Sequence, residues 1–280
     1  MSDPKTVLKM IKDNDVKYVD LRFTDPRGKM QHLAHAVETI DEDSFTDGIM
    51  FDGSSIAGWK AINESDMTLI PDPATAVMDP FAAQPSLTIF CDVHEPSTGQ
   101  PYLRCPRSIA KKAEAFLGLS GVGDTAYFGP EIEFFIFDDV RFKVAMNKVS
   151  YEIDSEEGPW VTDKKFEDGN MGHRPPVKGG YFPVPPVDSA SDLRAEMLTV
   201  MKDMGLKIEK HHHEVAPSQH ELGNVFTTLV RAADGVQIYK YVCHNVAHQY
   251  GKTVTFMPKP IKGDNGSGMH THQSIWKNGK

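Results

Sequence analysis

The stretch that decides the fold is Gly129-Pro130-Glu131-Ile132-Glu133-Phe134-Phe135-Ile136-Phe137. If it is a β-strand, Glu131 and Glu133 project from one face, while Ile132 and Phe134 face the other way, toward a core. Neighbouring carboxylates repel each other unless a cation lies between them, and hard divalent cations prefer oxygen ligands. The pair fits either a solvated edge strand or a metal site. The apolar flanks indicate a buried strand and favour the metal site.

Periodicity and turn residues predict the elements on either side of this strand. Toward the C-terminus we expect strands at 148–154, 207–216, 221–229, 253–257 and 268–276, and helices at 189–204 and 232–250. Toward the N-terminus we expect helices at 4–12 and 107–118, a hairpin of strands at 19–23 and 30–37, and a strand at 86–93. The segment 156–187 is dense in glycine and proline, so we expect an ordered excursion without regular structure.

Two domains are expected for a chain of 280 residues. A loop at 96–101 follows the strand at 86–93, and we place the domains at 1–104 and 105–280. The last residues, 275–280, have the pattern of a strand entering an Asn-Gly hairpin turn, with no return strand. Because a domain that stops there leaves an unpaired edge, we expect the chain to be truncated.

The net charge of −9 argues against nucleic acid or an anionic membrane surface as the main partner. The three cysteines, Cys91, Cys105 and Cys243, are odd in number and widely spaced. Neither a disulfide framework nor a thiolate zinc site is therefore expected. The N-terminus has no apolar signal core, and no apolar window is long enough to span a bilayer. We therefore expect a cytoplasmic protein without a membrane partner.

A second polar cluster, His211-His212-His213-Glu214, is followed by Glu221. On a strand, His212 and Glu214 share one face and His211 and His213 share the other. The intervening residues form a short turn that can bring Glu214 and Glu221 together. A histidine run of this kind is more often a polar strand face than a ligand set, although the flanking acids weaken that interpretation.

Two loops complete the set of polar clusters. In Asp264-Asn265-Gly266-Ser267-Gly268, the glycines let the backbone approach a ligand and present amide groups to an anion. His270 and His272 then share one face of the next strand. A simple turn before a strand explains the same residues equally well. The second loop, Asp52-Gly53-Ser54-Ser55, is followed by Trp59, and such a turn means little by itself.

Together and in this order, the four clusters resemble the class I, bacterial-type glutamine synthetases. The matching stretches are FDGSSIAGWK (51–60), GPEIEFF (129–135), KGGYFPVPP (178–186), HHEVAPSQHE (212–221) and KPIKGDNGSGMH (259–270). Their ordered combination covers essentially the whole chain and is specific. The resemblance implies an α+β fold: an N-terminal β-grasp domain, then the first part of a catalytic domain with a curved antiparallel sheet flanked by helices.

The resemblance also implies a role for individual residues. The metal ligands would be Glu131 and His270 for the ion nearer ATP, and Glu133, Glu214 and Glu221 for the ion nearer glutamate. The nucleotide site would be lined by Glu209, Phe226, His272 and Ser274. The glutamate substrate would contact Asn265 and Gly266. Ammonium would be bound and deprotonated by Asp52, supported by Ser55 and Tyr181.

The implied activity is ATP-dependent synthesis of glutamine from glutamate and ammonia through γ-glutamyl phosphate. ATP is the co-substrate, and the cofactors are two or more Mg²⁺ or Mn²⁺ ions per site. Phosphoryl transfer mostly requires positioning and charge neutralisation, which such ions supply. Members of the family form dodecamers of two stacked hexameric rings. We therefore expect a homo-oligomer in which the Asp-Gly-Ser-Ser loop of one subunit meets the sheet of its neighbour.

The resemblance places further parts of the active site beyond residue 280, among them the arginines that clamp phosphate and glutamate. We therefore expect this chain by itself to be an inactive fragment. A γ-glutamyl ligase for another amine stays open, although Asp52 and Trp59 fit a small cation site. A non-catalytic module of the same fold also stays open, although such a module need not keep the metal ligands. An unrelated phosphotransferase has little support, because no Gly-x-x-x-x-Gly-Lys-Ser/Thr phosphate loop is present.

Overall fold

The computed structural model describes residues 3–162, 165 and 172–280. Its helices are α1 (Pro4–Asp13), α2 (Pro106–Ser120), α3 (Ser191–Asp203) and α4 (Leu229–Gln249). Its strands are β1 (Tyr18–Thr24), β2 (Met30–Ala36), β3 (Ile49–Asp52), β4 (Asp66–Pro71), β5 (Val77–Met78), β6 (Ser86–His94), β7 (Thr125–Phe137), β8 (Asp139–Ala145), β9 (Lys148–Asp154), β10 (Ile208–His213), β11 (Gln219–Asn224), β12 (Thr227–Thr228), β13 (Thr253–Thr255) and β14 (Met269–Trp276). The helices and strands expected from the sequence are present with shifted ends. Strands β3, β4, β5 and β8 were not expected.

The predicted irregular segment 156–187 lies partly outside the described residues, and its described residues form neither helix nor strand. Among the described helices, none combines the length and the apolar character needed to cross a bilayer. The three cysteines are buried and free.

Contacts divide the chain into two compact units. The first comprises Met1–Ala126, Thr228–Asp234 and Ser274–Lys280, and the second comprises Tyr127–Thr227 and Gly235–Gln273. Both units are discontinuous in sequence, because β7, α4 and β14 each contribute residues to both. The domain boundary that we placed between residues 104 and 105 stays a prediction.

The sheet of the second unit is built around β7. Its strand order is β10-β11-β7-β12, and β13 and β14 also pair with β7. As predicted, the apolar side chains of Ile132, Phe134 and Ile136 are buried. Tyr239 of α4 donates its hydroxyl to the carbonyl oxygen of Ile132 at 2.6 Å and accepts the N–H of Leu222 at 3.2 Å. Helix α4 therefore packs on the face of β7 opposite Glu131 and Glu133.

Strands β8 and β9 form a separate antiparallel hairpin, paired from Asp139 opposite Asp154 to Ala145 opposite Lys148. Its side chains are mostly exposed. In the middle of β9, the hydroxyl of Tyr151 donates to the carbonyl oxygen of Pro260 at 2.8 Å. This contact ties the hairpin to the loop that leads into β14.

The sheet of the first unit has the order β2-β1-β6-β4-β3, and β5 pairs with β6. Strands β1 and β6 are parallel, with Tyr18 opposite Ser86, and the other pairs are antiparallel. The predicted hairpin of β1 and β2 is confirmed. At its turn, the carboxylate of Asp25 accepts the backbone N–H groups of Arg27 at 2.8 Å and Lys29 at 3.0 Å. These bonds satisfy backbone donors that the strands leave unpaired.

Aromatic side chains fill one end of the core of the first unit. Trp59 is 5% exposed and packs against Phe23, Phe51 and Tyr102, with ring centroids 5.6, 6.2 and 5.5 Å away. The hydroxyl of Tyr102 donates to the carbonyl oxygen of Trp59 at 3.0 Å. Since Phe51 precedes Asp52 directly, this packing fixes the end of β3, where the Asp-Gly-Ser-Ser loop begins.

The last described residues form the predicted Asn-Gly turn. Asn278 and Gly279 have φ angles of 53° and 75°, both positive as a type I′ turn requires. Lys277 and Lys280 exchange backbone hydrogen bonds of 2.8 and 3.2 Å. The N–H of Asn278 donates to the carboxylate of Asp124 at 2.7 Å, which fixes the turn beside the start of β7.

A buried guanidinium joins separate segments of the first unit. Arg107, at the start of α2, donates to Asp234 of α4 at 3.0 Å, to Asp92 of β6 at 2.8 Å and to Asp72 at 2.7 Å. Burial raises the pKa of Asp234, although the hydrogen bonds from Arg107 oppose that shift. Without the guanidinium, carboxylates from three segments would face each other in a poorly solvated place.

Replacing Arg107 with methionine should lower the free energy of unfolding by about 3 kcal/mol, because it leaves buried carboxylates without their counter-ion. Urea unfolding followed by circular dichroism measures this loss. Lys112→Met, on the exposed side of the same helix, is the matched control and should change stability by less than about 0.5 kcal/mol. Equal stabilities of the two variants would contradict a structural role for the Arg107 cluster.

Candidate functional site

A row of acidic and histidine side chains crosses three strands of the second unit. His212 of β10 lies opposite Glu221 of β11, which lies opposite Glu133 of β7. Nδ1 of His212 lies 3.5 Å from the carboxylate of Glu214, and Nε2 lies 3.6 Å from that of Glu221. Ligand atoms of His212, Glu214 and Glu221 all lie within 4.8 Å of one another, which is close enough to share one metal ion. The turn after β10 thus brings Glu214 and Glu221 together.

Burial and neighbouring charges shift the pKa values of the side chains in this row. Burial raises the pKa of Glu133, and the neighbouring charge of Glu221 raises it further. Burial, followed by the charge of Glu133, likewise raises the pKa of Glu214. Burial lowers the pKa of His212, but the hydrogen bond and charge of Glu221 outweigh it, so the pKa is raised. The carboxylates repel each other, and a divalent cation between them would relieve that repulsion.

Hydrogen bonds fix the carboxylate of Glu133 in this row. Its Oε2 accepts the side-chain amide of Gln219 at 2.8 Å and the backbone N–H of Gly268 at 3.1 Å. The ring of His270 lies beside Gly268, with Nε2 3.6 Å from where a Cβ on that glycine would be. Gly268 therefore lies beside both His270 and Glu133.

Glu131 lies two residues before Glu133 on the same strand face, and its carboxylate is 3.3 Å from Nε2 of His272. The sequence paired Glu131 with His270 as ligands of one ion. In the structure the histidine in direct contact with Glu131 is His272, while the ring of His270 lies beside Gly268, whose N–H bonds to Glu133. The pairing of Glu131 with His270 stays a prediction.

A partly exposed aromatic surface adjoins His272. The ring of Phe226 meets that of Tyr127 edge-on at 5.4 Å. A Cβ on Gly129 would lie 3.4 Å from Cβ of Phe226 and 3.9 Å from Cβ of His272, so Gly129 of β7 lies beside both side chains. Phe226 is 57% exposed, which leaves a ring face available to a flat ligand.

Two further residues of the predicted nucleotide site, Glu209 and Ser274, lie on β10 and β14. Glu209 is exposed and lies where the pairing of β10 with β11 shifts register, between Ile208 and Lys210. Ser274 follows His272 on β14, and its hydroxyl accepts the indole N–H of Trp276 at 2.9 Å. Their contact with a nucleotide stays a prediction.

The loop that carries Tyr181 lies against the turn after β10. The N–H of Gly180 donates to the carbonyl oxygen of Val215 at 2.9 Å, and a Cβ on Gly180 would come within 3.0 Å of that oxygen. The Tyr181 ring meets His212 edge-on at 5.6 Å. Burial and then the charge of Glu214 raise the pKa of the Tyr181 phenol. The structure therefore brings Tyr181 to the acidic row.

The glycine-rich loop before β14 is held by a buried carboxylate. Asp264 is 4% exposed, and its Oδ1 accepts the N–H groups of Asn265 at 2.8 Å and Lys178 at 3.2 Å. A Cβ on Gly266 would collide with the carbonyl oxygen of Pro258, so only glycine fits there. Sequence reasoning missed Asp264. The sequence signal for this role is an aspartate at the start of a glycine-rich loop, because such a side chain commonly accepts hydrogen bonds from nearby backbone N–H groups.

Asp52 and Ser55 lie in the first unit. One carboxylate oxygen of Asp52 accepts the N–H of Ser54 at 2.8 Å and its hydroxyl at 2.6 Å, and the other accepts the hydroxyl of Ser55 at 2.7 Å. The hydroxyls of Ser54 and Ser55 hold the pKa of Asp52 below its ordinary value. The loop thus presents an exposed carboxylate in its charged form.

A buried ion pair lies behind the acidic row, and sequence reasoning missed it. Nε2 of His213 is 2.8 Å from the carboxylate of Glu157, and Nδ1 is 2.6 Å from the carbonyl oxygen of Glu214. A carbonyl oxygen only accepts, so Nδ1 donates. Burial disfavours the charged form of both side chains, but the hydrogen bond and the charge of the partner outweigh burial in each case. The pKa of His213 is therefore raised and that of Glu157 is lowered. Since Nδ1 faces a carbonyl oxygen and Nε2 faces a carboxylate, the geometry is that of an imidazolium paired with a carboxylate.

Glu157 also fixes the turn that separates Glu214 from Glu221. Its carboxylate accepts the N–H of Ser218 at 2.5 Å and the hydroxyl of Ser189 at 2.7 Å. The alternation of the histidine run predicts that His213 faces away from His212. Nothing local in the sequence identifies Glu157 as its partner, because Glu157 lies in the irregular segment 156–187.

The fold and this set of side chains define an α+β protein with a candidate divalent-metal centre on one face of an antiparallel sheet. Residues 103–280 match the model of the glutamine synthetase catalytic domain, and residues 15–96 match that of the glutamine synthetase β-grasp domain. The chain belongs to the glutamine synthetase family. The α+β fold expected from the sequence, with a β-grasp domain before the catalytic domain, is confirmed.

Similar proteins support the same assignment. The chain is 74% identical to a glutamine synthetase of Azospirillum brasilense and 64% identical to one of Rhizobium meliloti, over its whole length and 60% of theirs. Among solved structures, Plasmodium falciparum glutamine synthetase is similar with a TM-score of 0.92 at 29% identity, over 100% of this chain and 55% of that one. The chain therefore spans about 60% of the length of these bacterial relatives.

Replacing Glu157 with glutamine should lower the free energy of unfolding by about 3 kcal/mol, because the buried imidazolium of His213 loses its counter-ion. Urea unfolding at neutral pH measures the change. Glu156→Gln is the matched control: its carboxylate is 3.5 Å from Lys252, and its loss should cost less than about 1 kcal/mol. Equal losses for the two variants would argue against a buried ion pair.

Proposed function

We propose that this chain provides the metal-binding and nucleotide-binding strands of a glutamate–ammonia ligase. That enzyme would use ATP to join ammonia to glutamate through γ-glutamyl phosphate. The observation that carries the proposal is the row of Glu133, Glu221, Glu214 and His212 beside Glu131, on the face of the sheet opposite α4. Membership of the glutamine synthetase family supports it.

The donor set suits Mg²⁺ or Mn²⁺, because it consists of carboxylate oxygens with imidazole nitrogens and the carboxylates repel each other. Glu133, Glu214 and Glu221 would hold the ion nearer glutamate, and Glu131 and His270 the ion nearer ATP. His212 lies close enough to join the first set. Such ions neutralise the phosphates and orient the substrate carboxylate.

The remaining roles fall to loops and exposed side chains. Glu209, Phe226, His272 and Ser274 would contact the nucleotide, with the ring of Phe226 beside the base. Asn265 and Gly266 would bind glutamate from the loop that Asp264 holds in place. The fixed geometry of that loop would orient the γ-carboxylate for attack on the terminal phosphate.

Asp52 would bind ammonium and accept its proton, which turns the cation into the nucleophile that displaces phosphate. The low pKa of Asp52 favours binding of the cation, and Ser55 and Tyr181 would complete the ammonium site. We further propose a cytoplasmic dodecamer of two hexameric rings, in which the Asp52 loop of one subunit reaches the sheet of its neighbour.

Replacing Glu221 with glutamine should weaken Mn²⁺ binding at least about tenfold, since the ion loses an anionic ligand from the centre of the row. Isothermal titration calorimetry with Mn²⁺ measures the dissociation constant. Glu38→Gln, an exposed carboxylate of the first unit, is the control and should bind as the wild type does. An unchanged affinity of Glu221→Gln for Mn²⁺ would show that the acidic row is not the metal centre.

Phosphate release from ATP and glutamate tests the activity itself. Residues 1–280 alone should show no ammonium-dependent release, because they span 60% of the length of related enzymes. A longer form of the chain, of the relatives' full length, should show release that depends on ammonium. Methylamine and spermidine in place of ammonium test the other amine ligases. Turnover by residues 1–280 alone would contradict the first expectation, and an inactive longer form would contradict the proposed reaction.

A further inference from the structure

A lysine shares the sheet face that carries the carboxylates. Lys210 precedes His212 by two residues on β10, so both side chains project from the same face. Lys210 lies opposite Gly223 of β11, and Gly223 lies opposite Glu131 of β7. Lys210, Gly223 and Glu131 therefore form a second row, adjacent to the row of His212, Glu221 and Glu133.

The stem of Lys210 lies across the glycine in the middle of this row. A Cβ on Gly223 would be 2.8 Å from Cγ of Lys210, 3.6 Å from Cδ and 3.2 Å from Cε. Neighbouring strands are about 4.8 Å apart, so a stem that lies over β11 brings the ammonium group within reach of a ligand bound toward β7. The next residue of the row in that direction is Glu131. Gly223, which has no side chain, thus leaves room for the lysine stem over β11.

The register shift at Glu209 puts Lys210 in this row. Ile208 pairs with Asn224 and Lys210 with Gly223, so Glu209 is the extra residue of a bulge. Bulges re-aim side chains and occur beside active sites. Within the part of the chain that the structure describes, Lys210 forms no ion pair with a carboxylate, although its stem lies on the face that carries the carboxylates. Its charge is available to a ligand.

We propose that the ammonium group of Lys210 donates hydrogen bonds to the β- and γ-phosphates of the bound nucleotide. This inference rests on the proposed function, in which Glu131 holds the ion nearer ATP. Glu131 contacts His272, and His272 adjoins the aromatic surface of Phe226 and Tyr127. A base beside Phe226 would place the phosphates along β7 near Glu131, within reach of a cation that crosses β11.

The chemistry of lysine suits this role better than contact with glutamate. An ammonium group is a compact charge with three donors, which matches phosphate oxygens. The glutamate side of the site is the other row, with Glu133 and the loop of Asn265. Lys210 is separated from that row by the length of two residues along β10. A lysine in the row of Glu131 therefore selects for the charge of the polyphosphate.

The test compares Lys210→Met, Lys210→Arg and the wild-type chain in calorimetric titrations with ADP and AMP at saturating Mn²⁺. Loss of charge-assisted hydrogen bonds should raise the dissociation constant for ADP about tenfold or more in Lys210→Met. The loss should be smaller for AMP, which lacks the β-phosphate. Lys210→Arg should stay within about threefold of the wild type, since it keeps the charge. Lys207→Met, at an exposed lysine just before β10, is the matched control and should not change ADP binding.

Titration with Mn²⁺ alone separates a nucleotide contact from general damage to the site. Removing a cation from the acidic face should leave Mn²⁺ binding unchanged or tighter, whereas a distorted site would bind both ligands more weakly. The inference is overturned if Lys210→Met binds ADP as the wild type does, or if its affinities for AMP and ADP fall by the same factor. It is also overturned if its affinity for Mn²⁺ falls in parallel. A wild-type chain that binds Mn²⁺ but not ADP would overturn the nucleotide site of the proposed function, and the role of Lys210 with it.

Discussion

The repulsion between carboxylates crowded on one face of a sheet is the constraint on which the rest of the second unit depends. Burial and mutual charge raise the pKa values of Glu133 and Glu214, so the arrangement is costly without a cation. Such a cluster persists only where the backbone beneath it is held by other interactions. The opposite face of β7 supplies them: Phe134 is fully buried, and Tyr239 bonds to the backbone of β7 and β11. Packing on one face therefore sustains repulsion on the other.

A second layer of buried charge sets the loops around the acidic row. The imidazolium of His213 bonds to the carbonyl oxygen of Glu214, and Glu157 bonds to the N–H of Ser218, so one ion pair fixes both ends of the turn. Asp264 plays the corresponding part for the loop of Asn265, and it also receives the N–H of Lys178. Side chains that touch no ligand thus decide where the proposed ligand-binding groups lie, because a buried charge tolerates little displacement from its partner.

Sequence reasoning recovered what short-range periodicity encodes. Alternation along β7 separated Glu131 and Glu133 from the apolar face, and the Asn278-Gly279 pair predicted its turn. Partners distant in the chain carry no such local signal, which is why Glu157 and Arg107 were missed. Strand β8 was missed although Val140, Phe142 and Val144 alternate with polar residues, which is the pattern of a half-buried strand. The assignment of His270 to Glu131 came from resemblance, and the contact of Glu131 with His272 depends on the pairing of β14 with β7.

The bulge at Glu209 shows how one inserted residue organises both halves of the sheet face. From Lys210 to His213 the pairing with β11 is regular, so Lys210 and His212 are aligned with Gly223 and Glu221. A shift of one residue would send these side chains to the core face and bring His211 and His213 outward. Arg194, which donates to His211 at 3.3 Å and to Asp188 at 2.9 Å, opposes that shift from behind. The register is therefore fixed from the core, and the bulge absorbs the mismatch at the exposed end of β10. The two rows of the candidate site follow from that register.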